Sequence, residues 1–277
     1  MPISNFEGKT VVVTGAGSGI GRATSLAFAR RKARLVLVDV DARGLEDTAG
    51  SARALGADAL IEVCDVGNAE AVEAMAGRVL AARGTPHVLF NNAGIAYFGD
   101  FLEHEPAHWE RIMRVNVLGI VHGVRAFLPA MLAAGDARHI VNTASAASVS
   151  PAPNMVAYAA SKGAVKNLGE VLALELAGRN VMVHSLYPGI INTPIATAKS
   201  ALPSVPQSQL DRLAHYYVTK GCGPEVVAEA VLKGIARGKA HIFTGPIAWP
   251  AQFLARLSPA LSRKFTLISA RQIGYLP

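Results

Sequence analysis

Seven short runs rich in β-branched residues, separated by alanine-rich stretches, constrain this chain more than any other feature. The runs are KTVVVTG (9–15), ARLVLVDV (33–40), ALIEVCDV (59–66), HVLFNNAG (87–94), HIVNTAS (139–145), VMVHSLYPG (181–189) and AHIFTG (240–245). They are apolar throughout rather than alternating, so both faces of each strand need cover. That is the pattern of a parallel sheet clad in helices. Each intervening segment is long enough for a crossover helix, and 277 residues can bury a large core. The expectation is an α/β fold: a doubly wound parallel sheet of seven strands in a single domain, with helices on both faces.

The turn after the first run reads TGAGSGIGRA. Gly15, Gly17, Gly19 and Gly21 follow T-G-x-x-x-G-x-G rather than G-x-G-x-x-G, because Ile20 stands where the third glycine would be. The physical need is the same: a tight strand-to-helix turn, close backbone approach to a pyrophosphate, and a helix amino terminus aimed at negative charge. Between a first strand and a first helix this is a Rossmann-type dinucleotide site. Asp39 ends the second run, 18 residues beyond Gly21. A carboxylate there can accept from ribose hydroxyls and repel a 2′-phosphate. No Lys or Arg directly follows it, and Ser18 leaves the glycine loop without a cation. The expected cofactor is therefore NAD, with NADP as the alternative because Arg22 and Arg43 are near in sequence. Asp65, after the third strand, is placed to meet the adenine amino group or to cap the next helix.

In AYAASKGAV (157–165), Tyr158 and Lys162 stand four apart, one helical turn on one face. A phenol with a pKa near ~10 is a poor base at neutral pH, and a fixed cation beside it lowers that pKa. The pair reads as a proton-transfer device.

Together, TGAGSGIG, CDV, NNAG, VNVLG, IVNTAS, YAASK and YPGIINTP resemble the short-chain dehydrogenase/reductase family, in order and at near-family spacing from about residue 7 to residue 245. The resemblance implies Tyr158 as general acid/base and Lys162 as the cation that binds ribose and lowers the phenol pKa. It also implies Ser145, thirteen residues before the tyrosine, as the donor to the reacting oxygen, in preference to Ser148. Asn116 would hold a water in a proton relay. Asn91, Ala93 and Gly94 would face the nicotinamide-side ribose. Pro188, Gly189 and Thr193 would border the nicotinamide. Ser18, Ile20, Val66 and Ile191 complete the implied cofactor set. The implied assembly is a homodimer or homotetramer.

Segment 194–223 interrupts the strand–helix rhythm beyond the sixth run and is expected to be a substrate lid. Pocket candidates from the loops are Tyr97, Phe98, Ala147, Val149, Met155, Ile190, Leu202, Tyr216 and Tyr217. Most are apolar, which favours a lipophilic or aromatic substrate. HEPAH (104–108) spells the zinc-protease pattern H-E-x-x-H. Pro106 suits only the first turn of a helix, so His104 would fall outside it, and no metal site is expected. His104 and His108 would border the substrate entrance or meet solvent.

Residues 1–248 thus form the catalytic unit, and 249–277 a basic amphipathic extension. Its stripe of Trp249, Phe253, Leu257, Leu261, Phe265 and Ile268 interleaves Arg256, Arg263 and Lys264. Packing against a neighbouring subunit or across the substrate mouth, peripheral contact with an anionic membrane, and binding of an acidic substrate tail are its three readings. The formal charge is +7, and the excess lies wholly between Ala230 and Pro277, where seven basic residues meet no Asp or Glu. No nucleic-acid motif accompanies it, and nucleic acid is not an expected partner. No apolar run reaches the ~20 residues of a membrane span, the amino terminus reads as neither secretory nor transit peptide, and Cys64 and Cys222 are too few for a disulfide framework. A cytoplasmic location follows. The functional expectation is an NAD(P)-dependent oxidoreductase interconverting a secondary alcohol and a ketone. The alternatives are an NADPH-dependent ketoreductase of acyl chains and a cofactor-binding regulator without turnover.

Overall fold

Consecutive valines of strand β1 (Thr10–Thr14) go to opposite sides of a sheet: Val11 and Val13 enter one apolar cluster, Val12 another. In the computed structural model, which describes residues 2–195, 200–273 and 276, this strand lies inside a seven-stranded sheet, between β2 and β4. The others are β2 (Arg34–Asp39), β3 (Ala59–Val63), β4 (Val88–Asn91), β5 (Arg138–Thr143), β6 (Val181–Pro188) and β7 (His241–Thr244). All pairings are parallel, in the order β3-β2-β1-β4-β5-β6-β7. The chain winds outward from β1 to β3, then crosses to β4 on the other side. Ligands bind in such a sheet beyond the carboxyl ends of the strands, where the winding reverses, here between β1 and β4.

Helices α1 (Gly19–Ala29) and α2 (Ala42–Ala54) cover one face, and α3 (Ala69–Arg83) begins the cover of the other. Helix α4 (Pro106–Met113) runs through a π-helical turn, Arg114–Leu118, into α5 (Gly119–Ala133). The run Pro106–Ala133 is long and apolar enough to cross a membrane by length and composition, a stretch the apolar-run count did not reveal. Its Ile120, Val124, Phe127 and Met131 are instead buried in the core under α3 and α6 (Val156–Glu175).

Segment 194–223 holds α7 (Gln207–Lys220); its residues 196–199 lie outside the described ones. A short parallel bridge ties it to the loop after β4: Phe98 N–H donates to the Ser200 carbonyl at 2.8 Å and Leu202 N–H to that of Phe98 at 2.7 Å. Helix α8 (Pro224–Ala236) completes the first face, packed on α1. Beyond β7 come α9 (Ala248–Leu257) and α10 (Pro259–Ile273), parted at Ser258 with Pro259 opening the second. Ala270 and Ile273 of α10 share a third apolar cluster with Phe98, Met155, Val205 and Leu213. The C-terminal segment therefore packs over the loops above the sheet.

Candidate active site

The glycine turn is built as its chemistry requires. Gly15 has φ of +68°, and a Cβ at Gly21 would lie 2.0 Å from the Gly15 carbonyl oxygen, so only glycine lets α1 start this close to β1. Ser18 precedes α1 in extended conformation without a side-chain cap, which leaves amide groups of the first turn for an anion. Gly15, Ser18, Gly19 and Ile20 line a crevice of about 550 Å³ together with Asp39, Asp65, Val66, Ala93 and Gly94. The Asp39 carboxylate accepts from Gly17 N–H at 2.9 Å and from Asp41 N–H at 3.1 Å, which fixes it at the crevice wall with lone pairs to spare. Asp65 accepts from Gly67 N–H at 2.8 Å, while Asn68 is the residue that caps α3. An uncapped helix terminus, glycine-tight backbone and a carboxylate at the end of β2 fit a dinucleotide. Gly17 and Gly21 shape this turn from behind the lining. Asn91 lies deeper than expected: its side chain is buried beneath the crevice and donates to Asn142 at 2.9 Å, and Asn92 takes the place in the wall. Strand alternation explains the exchange, since adjacent residues at a strand end face opposite ways.

A second cavity, about 490 Å³, adjoins the first through Ile20, Asn92, Gly94 and Thr193. Ser145, Tyr158 and Lys162 line this second cavity, as do Pro188, Gly189 and Ile191. The Ser145 hydroxyl, which accepts from Ala147 N–H at 3.1 Å, stands beside the Tyr158 phenol and favours its ionised form. The Lys162 amine donates to the Thr143 carbonyl at 2.7 Å and stands 5.7 Å from the centroid of the Tyr158 ring. Ser148, the rejected alternative, donates its hydroxyl to the Ser145 carbonyl. Asn116 sits fully buried in the π-helical turn, a distortion frequent at functional sites. Its oxygen accepts from Ile95 N–H at 2.8 Å, and its NH₂ donates to the Ile95 carbonyl and to Ser161 at 2.9 and 3.0 Å. Both amide hydrogens are engaged, so only the Oδ1 atom has room left for a relay water. A Cβ at Gly94 would press on Asn116 Oδ1 at 3.2 Å and Lys162 Nζ at 3.4 Å; glycine there keeps both groups next to the crevice.

Burial dominates the electrostatics. The Tyr158 phenol is pushed up to about 12 by desolvation, against the opposing pull of the Ser145 hydrogen bond, with Tyr217 raising it further. The Lys162 amine is brought down to about 8 by desolvation. The expectation of a phenol lowered by its lysine neighbour is not met in the protein alone, because the dry site penalises both charged forms and the amine spends a donor on Thr143.

Of the pocket candidates, Phe98, Ala147, Met155, Ile190, Tyr216 and Tyr217 line the second cavity. Val149, Tyr97 and Leu202 do not. Val149 closes the 3₁₀ turn Ala146–Ser148, and Ser150 beyond it lines the wall and shares a 3.1 Å hydrogen bond with Thr266. Tyr97 meets His108 in a tilted ring contact at 4.8 Å, and Leu202 packs against Gly99. His104 is buried rather than at an entrance, its Nδ1 2.9 Å from the Asp100 carbonyl, and Pro106 opens α4 after it. Packing across the substrate mouth was one reading of the C-terminal segment, but the sequence did not name its wall residues: Ile247, Pro250, Ala251, Phe265, Thr266, Ser269 and Ile273. Of the stripe of 249–268 only Phe265 is among them. The direction was set at Ile247, whose φ of +64° turns the chain back over the sheet.

A model described as "short chain dehydrogenase" matches residues 9–202. The chain is 40% identical over 259 residues to a putative oxidoreductase SadH of Mycobacterium tuberculosis, covering 92% of each. It is 35% identical over 277 residues to human estradiol 17-beta-dehydrogenase 11, covering 98% of this chain and 88% of that protein. Among solved structures, a short chain dehydrogenase/reductase from Burkholderia phymatum in complex with NAD superposes with a TM-score of 0.81 at 40% identity, covering 87% of this chain and 90% of that one. A metagenomic short-chain oxidoreductase in complex with NADP gives a TM-score of 0.69 at 32% identity, covering 84% and 92%.

Proposed function

The chain belongs to the short-chain dehydrogenase/reductase family of oxidoreductases, and from that premise we propose that it interconverts a secondary alcohol and its ketone on a lipophilic or aromatic substrate, with NAD preferred. One observation carries the reading: Tyr158, with the Ser145 hydroxyl beside it, lines an apolar cavity that shares Ile20, Asn92, Gly94 and Thr193 with the crevice of the glycine turn. Alcohol oxidation needs a group to take the hydroxyl proton and a donor to fix the oxygen. Tyr158 takes the proton and Ser145 holds the oxygen. Lys162, fixed by Thr143, supplies the positive charge that an ionised Tyr158 needs. Asn116 clamps Ile95 to α6 through Ser161 and keeps the wall of the site in register. A bound nicotinamide would supply hydride acceptance and donation. Gly15, Ser18, Gly19 and Ile20 would hold its phosphates; Asp39, Asp65 and Val66 the adenosine end; Ala93, Gly94, Pro188, Gly189, Ile191 and Thr193 the nicotinamide end.

Asp39 at the crevice wall supports NAD, since a 2′-phosphate there would meet a carboxylate. The apolar wall of Phe98, Met155, Ile190 and Tyr216 supports a lipophilic substrate. The name of the human relative, which specifies a steroid dehydrogenase, points the same way. A panel of aryl, steroid-like and sugar alcohols and ketones with both cofactors, followed by the absorbance of the reduced nicotinamide, tests the reading. Turnover of the apolar members with NAD is expected; preference for sugars would sink the pocket argument.

A further inference from the structure

Helices α9 and α10 have two working faces. One closes the cavity through Ala251, Ala270 and Ile273. The other carries Trp249, Phe253 and Leu257 at four-residue intervals on α9, continued by Leu261, Phe265 and Ile268 on α10; these six side chains are 51% to 67% exposed. Arg256, Arg263, Lys264 and Arg271 are exposed among them, and the chain has no carboxylate side chain from Ala230 onward. An exposed apolar face whose own segment carries cations and no carboxylate side chain marks an interaction site; the neighbouring Glu170 of α6 is paired with His241.

We propose that this face docks the protein on an anionic lipid surface, with the apolar side chains in the acyl boundary and the cations over the headgroups. The charge distribution selects the occupant. A second copy meeting this face about a twofold axis would set cations against the same cations, with no acidic partner in the segment to pair them. An anionic lipid surface meets every one of them with opposite charge, and each basic residue close to it strengthens binding about fivefold. Two helices lying flat with apolar residues on one side and cations beside them are the arrangement that binds in the interfacial plane. Phe265 belongs to both faces: it lines the cavity and is 54% exposed. The cavity wall is thus continuous with the docking face. On the proposed function, a lipophilic substrate can pass from the bilayer to Tyr158 without crossing water; the docking itself does not depend on that reading.

The test uses the full chain in flotation with phosphatidylcholine vesicles, with and without phosphatidylglycerol. Trp109→Phe leaves Trp249 as the sole tryptophan, whose emission reports insertion. Two variants probe the face, Phe253→Ser with Leu257→Ser, and Arg256→Glu with Arg263→Glu and Lys264→Glu. Expected are binding that requires phosphatidylglycerol and weakens with salt, a blue shift of Trp249, and at least tenfold weaker binding by each variant. Turnover of a water-soluble alcohol and thermal melts should match those of the parent, which separates loss of docking from loss of chemistry. Three results would overturn the proposal: unmodified protein that leaves anionic vesicles unbound at low salt, variants that bind as the parent does, or variants that break an oligomer into smaller species, which would make the face a subunit contact.

Discussion

The Lys162 amine lies 5.7 Å from the centroid of the Tyr158 ring, one helical turn along α6 and on the same side of it. The amine is buried and the phenol half-buried, and desolvation moves them in opposite directions, the phenol up to about 12 and the amine down to about 8. At neutral pH the phenol is therefore un-ionised while the amine keeps most of its charge, and any further positive charge that enters the crevice favours release of protons from the pair.

A first consequence is spectroscopic. An ordinary tyrosine is half ionised near pH ~10, but Tyr158 should remain a phenol there. The ultraviolet difference between the cofactor-free protein and Tyr158→Phe should show no phenolate at pH ~10 and gain it only toward about 12. A phenolate already present near pH ~8 would contradict the burial argument.

Lys162 makes a stability prediction with a definite sign. Its folded value, about 8, lies below the ordinary 10.5, so between those limits the unfolded chain holds a proton that the folded chain has released. Stability of the parent must rise with pH across that window, by roughly 3 kcal/mol in all. Lys162→Met lacks the group, and its urea-derived stability should lack that rise over the same range. The gap between the two proteins should shift in the parent's favour from pH ~7 to ~10.5. Parallel curves would mean that the amine is not desolvated.

Gly21→Ala tests the turn. The added Cβ would sit 2.0 Å from the Gly15 carbonyl oxygen, backbone against backbone. Overpacking of this kind costs about 1–3 kcal/mol, and it pushes α1 away from β1 where phosphates would bind. Lower melting temperature and loss of cofactor binding should occur together.

Asp39→Ala tests cofactor choice. Losing a charged acceptor for ribose hydroxyls should weaken NAD about tenfold or more, while NADP is relieved of a repulsive carboxylate. Fluorescence titrations should show the NAD-to-NADP affinity ratio falling; an unchanged ratio would remove Asp39 from the ribose.

Much of this was legible in the sequence because it rests on local rules. Unbroken apolar strands required cover on both faces, and Val11, Val12 and Val13 do alternate between two clusters. Spacing put Tyr158 and Lys162 on one side of α6. What stayed hidden depends on tertiary placement. Whether Asn91 or Asn92 meets the crevice turns on where β4 ends. The direction of α9 turns on one residue of positive φ, Ile247. The pKa shifts depend on how dry the closed site is, which no local motif encodes.

Tyr158→Phe tests the central claim most directly, because it deletes one hydroxyl and leaves the ring packing. Cofactor affinity should stay within about threefold of the parent, while single-turnover reduction of the nicotinamide by a reactive alcohol should slow by about 10²- to 10⁴-fold. A variant that reduces the nicotinamide at the parent rate would show that the proton leaves by another group.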